Sequence, residues 1–415
     1  MTAAKARVFF VNRYFYPDES ATAQLLSDLA FGLVQSGYDV HILCSRQLYG
    51  AAEANLAAQE TIRGVVVHRL WTTRFGRRRL FGRAIDYGSF YLTCAIALTR
   101  RLRGSDIVVA KTDPPLISVV AAVAARLKRC VLVNWLQDVF PEVATQLGVN
   151  PLPARLEGLL RRLRDTSLRA AAVNVVLGHR MREYLIAQHM PAEKIQIIEN
   201  WTDPEALHPK LASDSELRSR LGLAGKFVVG YSGNLGRAHE IETLLGAAAA
   251  LRADDEIAFL FIGAGVKMDE LKSRVAHQRL PNFHFLPYQP RDSLADSLAS
   301  ADAHLVSLIP TLEGLIVPSK IYGILAAARP VVFVGDPDGE LTRVIRQYRC
   351  GLVVMAGDSD GLLRAIRTLK NDAGERQAMG AAARELLCAR FSMRRAIADW
   401  IALLHDVQAA RGLRG

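Results

Sequence analysis

The chain has 415 residues, half of them hydrophobic, which is enough for two ordinary domains but hardly more. Its formal net charge is +11, with 26 basic against 16 acidic residues in 1–200 and 26 against 25 in the remainder. No run reaches the roughly eighteen apolar residues of a membrane span, and the five cysteines are scattered without metal or redox spacing. We therefore expect a cytosolic protein without zinc or disulfides, whose cysteines are small core residues.

Short apolar runs alternate with helical stretches along the whole chain. The first series of predicted strands is Val8–Asn12, Val40–Cys44, Val65–Leu70, Ile107–Ala110, Val131–Trp135, Ala172–Val176 and Ile195–Ile198. The second series is Phe227–Tyr231, Ala258–Ile262, Asn282–Leu286, Ala303–Leu308, Val331–Val334 and Gly351–Val354. Fully apolar strands separated by helices are typical of parallel sheets covered on both faces. The fold class is therefore α/β, with two doubly wound domains in tandem.

The domain boundaries follow from the two series. Residues 1–200 form the first Rossmann-like domain and residues 201–390 the second, joined by the polar, proline-containing segment 199–216. Residues 391–415 are expected to form a C-terminal helix that packs back on the first domain. Ligands of such sheets bind at the carboxyl ends of the strands, so we expect a substrate cleft between the domains.

The first domain contains the basic segment RFGRRRLFGR, followed by a long apolar helix that ends in arginines. Arginines beside aromatic side chains favour contact with an anionic membrane surface. The predicted membrane residues are Arg74, Phe75, Arg77, Arg78, Arg79 and Phe81. The alternative is a core helix preceded by a solvated basic loop. Nucleic acid is disfavoured, because no DNA- or RNA-binding signature accompanies the charge.

In the second domain, the strand Phe227–Tyr231 leads into YSGNLGRAHEIETLL, with a helix predicted from about His239. Gly233 and Gly236 allow the backbone to approach a ligand, and Arg237 offers a planar fork for phosphate oxygens. The alternative is a plain strand-to-helix turn. FIGAG, with Gly263 and Gly265, ends the next strand in the same way.

A third anion-compatible strand end lies in EGLIVPSKIYGILAAARP. Pro318 fits the first turn of a helix, which places Ser319 and Lys320 where unpaired N–H groups and the helix dipole favour an anion. A solvated lysine on an ordinary helix turn is the alternative. Because three such strand ends coincide in one domain, the sequence predicts a site for the diphosphate of a nucleotide sugar.

These segments, together with the opening FFVNRYFYPDESATAQLLSDLAFGLVQSGYDVHILCS and the later WLQDVFPE, resemble the GT-B glycosyltransferases of family 4. The resemblance covers nearly the whole chain and points to the branch that builds bacterial surface polysaccharides and O-antigen. It implies transfer of a sugar from a nucleoside diphosphate donor, here UDP, with retention of configuration and without a cofactor or essential metal. The implied acceptor is a polyprenyl-diphosphate-linked saccharide, which would place the protein on the cytoplasmic face of the membrane.

The resemblance also implies binding residues, with some departures from the family pattern. The donor-binding candidates are Gly233, Asn234, Gly236, Gly263, Gly265, Tyr288, Glu313, Pro318 and Ser319. Ser20, Ala21 and Thr22 replace the usual glycine pair of the first loop. Gly323 stands where many relatives have a ribose-binding glutamate, and Glu313 can replace the other family glutamate if its loop is two residues longer. Asn234 and His239 align with the usual basic pair, which leaves Arg237 and Lys320 to supply the positive charge. On this alignment His239 contributes only if protonated, and its alternative is a helix-terminal polar residue.

Three residues are assigned to catalysis. Arg237 and Lys320 would stabilise the leaving diphosphate, and Asp138 would orient the acceptor or the sugar. Glu142 is a weaker candidate of the same kind as Asp138. Asp138 has an alternative as a turn or helix cap before Pro141.

Two other functions remain open at this point. Non-hydrolysing UDP-sugar epimerases share the architecture and the donors, and isomerisation of a UDP-sugar without acceptor would identify one. A non-catalytic partner subunit is suggested by the missing glutamate at Gly323, and turnover by the isolated chain would exclude it.

Overall fold

The computed structural model describes residues 7–49, 54–76, 80–149 and 153–412. The chain divides into two compact units, one of Met1–Glu199 with Ala396–Gly415 and one of Asn200–Arg395. Within the described ranges, no helix combines the length and apolarity required to cross a membrane.

The first unit contains an eight-stranded sheet. Its strands are β1 (Arg7–Val11), β2 (Asp39–Ser45), β3 (Gln59–Ile62), β4 (Val65–Leu70), β5 (Ile107–Lys111), β6 (Val131–Trp135), β7 (Val173–Val176) and β8 (Ile195–Ile197). The order is β3-β4-β2-β1-β5-β6-β7-β8. All neighbours are parallel except β3 with β4. Strand β3 was not predicted, because its polar sequence QETI has no apolar pattern.

Helices cover the first sheet on both faces. They are α1 (Ala21–Gln35), α2 (Leu80–Arg101), α3 (Ile117–Lys128), α4 (Glu142–Gln146), α5 (Ala154–Ala170) and α6 (His179–Ala187). The inner side of α2 buries Phe90, Cys94 and Leu98 against α3 and the strands β1 and β5. One side of α2 therefore belongs to the domain core, which agrees with the alternative of a core helix given in the sequence analysis.

The second unit contains a six-stranded, fully parallel sheet. Its strands are β9 (Phe227–Ser232), β10 (Ile257–Ile262), β11 (Phe283–Leu286), β12 (Ala303–Ser307), β13 (Val331–Gly335) and β14 (Gly351–Met355), in the order β11-β10-β9-β12-β13-β14. Its helices are α7 (Glu216–Arg220), α8 (Glu242–Ala250), α9 (Val266–Gln278), α10 (Leu294–Ala299), α11 (Lys320–Ala326), α12 (Glu340–Tyr348), α13 (Ser359–Asn371) and α14 (Ala373–Arg390). Two doubly wound parallel sheets confirm the predicted α/β class.

The last helix, α15 (Met393–Gly412), belongs mainly to the first unit. Its Trp400 is fully buried, with its ring centroid 4.8 Å from that of Trp135 and 6.4 Å from that of Phe10. An indole of this size contributes about 3–5 kcal/mol of stability when it is buried. The C-terminal helix is therefore an integral part of the first core.

The cysteines are all free thiols. Cys44, Cys94 and Cys350 are buried, as expected for small core residues, and Cys130 is half-buried. Cys388 is exposed on α14, so the expectation of a core position was wrong for that residue.

Candidate active site

The first two strand-end loops of the second unit pack directly against each other. Gly233 and Gly263 have φ angles of 124° and 134°, and a Cβ on Gly263 would lie 2.1 Å from the carbonyl oxygen of Gly233. Any side chain would break this contact, so both positions require glycine. The backbone of Leu235 also donates to Ala264 at 2.8 Å. The glycine residues predicted from the sequence thus form one continuous surface at the carboxyl end of β9 and β10.

Lys320 reaches this surface from α11. Its Nζ donates to the Tyr231 hydroxyl at 2.6 Å and lies 2.8 Å from Nε2 of His239. The ammonium also lies 4.4 Å from the centre of the Tyr231 ring. Its Cε would be 3.7 Å from a Cβ on Gly233. Two of the three ammonium donors are thus fixed, and the lysine adjoins the glycine loop.

The protonation of this cluster follows from its burial. Burial, together with the charge of Lys320, lowers the pKa of His239 to about 3, so the ring is neutral at physiological pH. Its Nδ1 lies 2.6 Å from the carbonyl oxygen of Ser307, to which it must donate. Nε2 is therefore the lone-pair nitrogen and accepts from Lys320. His239 is therefore not a cation of this site, and its neutral ring positions Lys320.

Burial also lowers the pKa of Lys320 to about 7. The Tyr231 hydroxyl is itself fixed, because it donates to the carbonyl oxygen of Asn234 at 2.9 Å. A lysine of this kind carries its charge only part of the time at neutral pH. A diphosphate placed beside it would favour the charged form.

Other predicted donor-binding residues lie on the surface of the same unit. Asn234, Arg237, Tyr288 and Ser319 are exposed, and Gly236 and Gly265 belong to the two glycine loops. Arg237 has no hydrogen bond or ion pair with the part of the chain that the structure describes. The helix after the first loop begins at Glu242 rather than at His239, and Ser319 is the N-cap of α11, with Pro318 one residue before it.

The two positions of the family glutamates have different surroundings. Oε1 of Glu313 accepts from the backbone N–H of Glu340 at 2.8 Å, at the first turn of α12. This carboxylate therefore stabilises the helix N-terminus. Gly323 lies inside α11, where a Cβ would meet only Leu298 within 4 Å, at 3.6 Å. A Cβ at this position would thus fit in ordinary van der Waals contact.

In the first unit, Asp138 follows β6 in a cluster of strand ends. Burial, with the charge of Asp113, raises the pKa of Asp138 to about 7, while a hydrogen bond from Thr112 opposes the shift. Its Oδ1 is buried and has no hydrogen-bond partner among the described residues. The N-cap of α4 is Pro141, so Asp138 does not cap that helix. A buried acceptor atom without a donor is suited to a hydroxyl group.

Asp138 lines a small cavity of about 30 Å³ in this unit. Other residues of the wall are Lys111, Asn134, Leu116 and Arg164. The side chain of Lys111 is only 1% exposed. Its Nζ lies 3.7 Å from the centre of the Trp135 ring and donates a hydrogen bond to the carbonyl oxygen of Thr22 at 2.8 Å. Its burial lowers the pKa of the ammonium group well below the usual range. The cavity holds about two water-sized groups.

The first loop lies beside this lysine. Ser20 is the N-cap of α1, and its backbone N–H donates to Asp18 at 2.8 Å. Ala21 is exposed, whereas Ser20 and Thr22 are half-buried. The hydrogen bond from Lys111 to Thr22 places the first loop beside the end of β5. Asp113 follows Lys111 by two residues in the chain.

Glu142 has a different environment from Asp138. Its two oxygens accept from Nη1 and Nη2 of Arg164 at 3.2 and 2.8 Å, and both side chains are buried. A buried bidentate pair of this kind fixes the orientation of α5 against the strand ends. The pairing explains the burial of Glu142 without a ligand.

The predicted membrane segment is described only in part. Phe75 and Phe81 are exposed, the latter to 78%, and Arg74 donates to Asn55 at 2.9 Å. The buried carboxylate of Asp86 accepts from the backbone N–H groups of Phe75 and Gly76 and so shapes this loop. Arg77, Arg78 and Arg79 lie outside the described residues.

Sequence reasoning missed two residues of these clusters. Tyr231 was counted only as a strand residue, and nothing in an apolar run indicates that its hydroxyl binds a lysine. Lys111 gave a signal that could have been used, because a lysine that ends the apolar run IVVAK lies at the carboxyl end of a parallel strand.

Comparisons with known proteins agree with this fold. Residues 21–201 match the family described as a glycosyl transferase 4-like domain, and residues 213–386 match glycosyl transferases group 1. These two matches identify a glycosyltransferase, and the two doubly wound units give it the GT-B fold. The chain belongs to family 4 of these GT-B glycosyltransferases, which confirms the resemblance seen in the sequence.

The individual relatives have low sequence identity to this chain. The chain is 28% identical over 293 residues to the probable glycosyltransferase WbjE of Pseudomonas aeruginosa, which covers 71% of this chain and 73% of that protein. It is 27% identical over 230 residues to WcaI of Escherichia coli K12, described as a colanic acid biosynthesis glycosyl transferase, covering 54% of this chain and 56% of the relative. The structure of HepE from Anabaena with UDP-glucose superposes with a TM-score of 0.71 at 18% identity, covering 95% of this chain and 99% of that one.

Proposed function

We propose that this glycosyltransferase moves a sugar, with retention of configuration, from a UDP-linked donor to a polyprenyl-diphosphate-linked saccharide in the synthesis of a bacterial surface polysaccharide. The observation that carries the proposal is the fixed position of Lys320. Its ammonium is held by Tyr231 and His239 next to two glycine loops, with a further donor available. A cation beside exposed backbone at strand ends is suited to a diphosphate.

Lys320 and Arg237 would act on the leaving group. As the bond between sugar and diphosphate breaks, negative charge develops on the diphosphate oxygens, and a fixed ammonium stabilises that charge without reorganisation. The lowered pKa of Lys320 means that donor binding recruits a proton to the lysine. Arg237 is exposed and has the reach of a flexible side chain, so it would close on the phosphates after binding.

Asp138 would act on the acceptor or the transferred sugar. Its unpartnered Oδ1 can accept a hydrogen bond from a hydroxyl group, and its pKa of about 7 lets it exist as the carboxylate in a large part of the molecules at neutral pH. The role in the first unit is orientation of a hydroxyl. Neither role requires a metal ion or an organic cofactor.

The choice of donor and pathway is supported by the relatives. HepE was solved with UDP-glucose, and WcaI is described as acting in colanic acid biosynthesis. A lipid-linked acceptor at the cytoplasmic face of the membrane agrees with the excess of 26 basic over 16 acidic residues in 1–200.

The proposal is tested by incubating the purified protein with UDP- and GDP-sugars and measuring release of the nucleoside diphosphate with and without a membrane lipid extract. Release from one UDP-sugar, increased by the extract, is the expected result. Isomerisation of the UDP-sugar without extract would identify an epimerase instead. Failure to bind any of the nucleotide sugars in calorimetry would leave the non-catalytic partner subunit as the better interpretation.

A further inference from the structure

Helix α2 has an outer ridge that carries no acid. Its exposed positions recur every three or four residues as Phe81, Ala84, Gly88, Leu92, Ile96 and Arg100. Leu92 is 64% exposed, although the opposite side of the helix is buried in the domain core. A helix on the surface of a globular domain normally presents charged and polar residues outward. The outer side of α2 is therefore unusually apolar.

Two neighbouring helices, α3 and α5, also have exposed apolar side chains. Helix α3 packs between α2 and α5, so the three form one layer on the same side of the sheet. The exposed aliphatic side chains of α3 are Val123 and Leu127, the latter at 68%. Those of α5 are Leu156, Leu159 and Leu163, spaced three and four residues apart. Contiguous exposed apolar residues mark an interaction surface, whereas single ones do not.

The charge of the layer is equally one-sided. The three helices contain ten arginines and lysines and three acids. Asp86 is buried, and Glu157 and Asp165 are at most one-fifth exposed and are ion-paired with Arg161 and Arg164. Five arginines of the layer are exposed, namely Arg100, Arg126, Arg155, Arg162 and Arg169. The partner of this face must accept both arginines and aliphatic side chains.

We propose that the outer face of α2, α3 and α5 is the surface on which the protein lies on an anionic lipid bilayer. The aliphatic side chains would enter the interfacial region and the arginines would contact headgroup phosphates. A bilayer offers phosphates above hydrocarbon over a broad flat area, which matches this mixture. A second copy would place these basic faces against each other. The inference rests on the proposed lipid-linked acceptor, but it assigns the contact to three helices rather than to the basic segment 74–79 alone.

The test is flotation with vesicles of phosphatidylcholine plus phosphatidylglycerol, and with vesicles of phosphatidylcholine alone. The apolar variant is Leu92→Ser with Leu127→Ser and Leu159→Ser, one position on each helix. Its matched control is Leu211→Ser with Val266→Ser and Met355→Ser, three exposed apolar side chains of the second unit. The charge variant is Arg126→Ser with Arg162→Ser, and its control is Arg364→Ser with Arg367→Ser on α13.

Wild type and both controls should float with the anionic vesicles and only weakly with phosphatidylcholine alone. The apolar variant should partition onto the vesicles about tenfold or more weakly at any salt concentration, because each serine removes methyl and methylene groups that the leucine would insert into the bilayer interface. The charge variant should lose affinity at low salt, and high salt should reduce its difference from wild type. Circular dichroism of each variant shows whether it is folded, so that unfolding is distinguished from a loss of vesicle binding.

Two outcomes would overturn the inference. One is equal flotation of the apolar variant and its control, which would assign any binding to another surface. The other is a wild-type protein that ignores anionic vesicles and sediments as a dimer that the apolar variant dissociates, which would make the face a contact between copies. Because flotation needs no donor, a protein that floats but turns over no nucleotide sugar would refute the proposed function and leave this surface in place.

Discussion

The Nζ atom of Lys320 lies 2.8 Å from Nε2 of His239, a ring whose other nitrogen is bound to the carbonyl oxygen of Ser307. The backbone therefore selects the tautomer of the histidine, and the histidine in turn positions the lysine. Lys320 belongs to α11 and His239 to the loop after β9, so the pair joins two strand ends of the second unit. In the proposed function this pair holds the leaving diphosphate.

The first prediction concerns the two cations assigned to the leaving group. Lys320→Ala and Arg237→Ala should each remove a contact that strengthens as the diphosphate develops charge, at a cost of about 2–4 kcal/mol of transition-state stabilisation. The measurement is kcat/KM for nucleoside diphosphate release. Lys272→Ala, an exposed lysine of α9, is the matched control and should retain wild-type rates. Unchanged rates in both site variants with normal circular dichroism would remove these residues from the site.

The second prediction concerns pH. Below about pH 7 Lys320 is already charged and donor affinity should be constant, whereas above it the complex must take up a proton. The dissociation constant of a UDP-sugar should therefore rise above pH 7 by up to about tenfold per pH unit. A UDP-sugar is used because its phosphates do not titrate in this range. In Lys320→Arg the charge is permanent, so an identical pH dependence in that variant would assign the effect to another group.

A third prediction uses the raised pKa of Asp138. In the folded protein Asp138 holds a proton up to about pH 7, while the unfolded chain releases it near pH 4, so this group lowers stability progressively as pH rises between the two values. Asp138→Asn should therefore raise the free energy of unfolding at pH 8 by on the order of 1–3 kcal/mol, as measured by thermal denaturation. This gain should shrink toward pH 4.

The same variant should lose transfer activity by orders of magnitude while donor affinity stays near normal, because the uncharged amide accepts a weaker hydrogen bond from the hydroxyl than the carboxylate does. Asp138→Ala separates the two roles. If that variant loses about 1 kcal/mol of stability and retains its activity, Asp138 is a turn residue after all.

Glu142 should behave in the opposite way. Glu142→Gln breaks a buried bidentate pair with Arg164 and leaves Asp165 as the remaining carboxylate partner of the guanidinium, which should cost about 1–3 kcal/mol of unfolding free energy in urea denaturation. Specific activity of the folded fraction should remain near wild type. Loss of activity without loss of stability would instead support the substrate-binding role first considered for this residue.

The sequence predicts the fold well because its signals are local. Every apolar run in the two series forms a strand, and among the strands of the described residues only the polar β3 was missed. The strand-end loops of Gly233 and Gly263 could also be located, since a glycine directly after a buried strand is typical of a tight backbone turn. Periodicity and loop composition determine these features, and both can be read from neighbouring residues.

Other features of the site depend on residues far apart in the chain. Lys320 and Tyr231 are 89 positions apart, and neither the lowered pKa of the lysine nor the neutral state of His239 can be inferred before their packing is known. The partner of Glu142 is likewise on another helix. For such groups the sequence indicates the residue type, while burial and contacts determine its chemistry.

The most direct measurement is mass spectrometry of the lipid-linked products formed when the purified protein is incubated with a membrane lipid extract and the UDP-sugar that it turns over. The proposed function predicts a polyprenyl-diphosphate saccharide heavier by one sugar residue, formed together with UDP, and formed far more slowly with Lys320→Ala. An isomerised UDP-sugar with unchanged lipid-linked saccharides would contradict it.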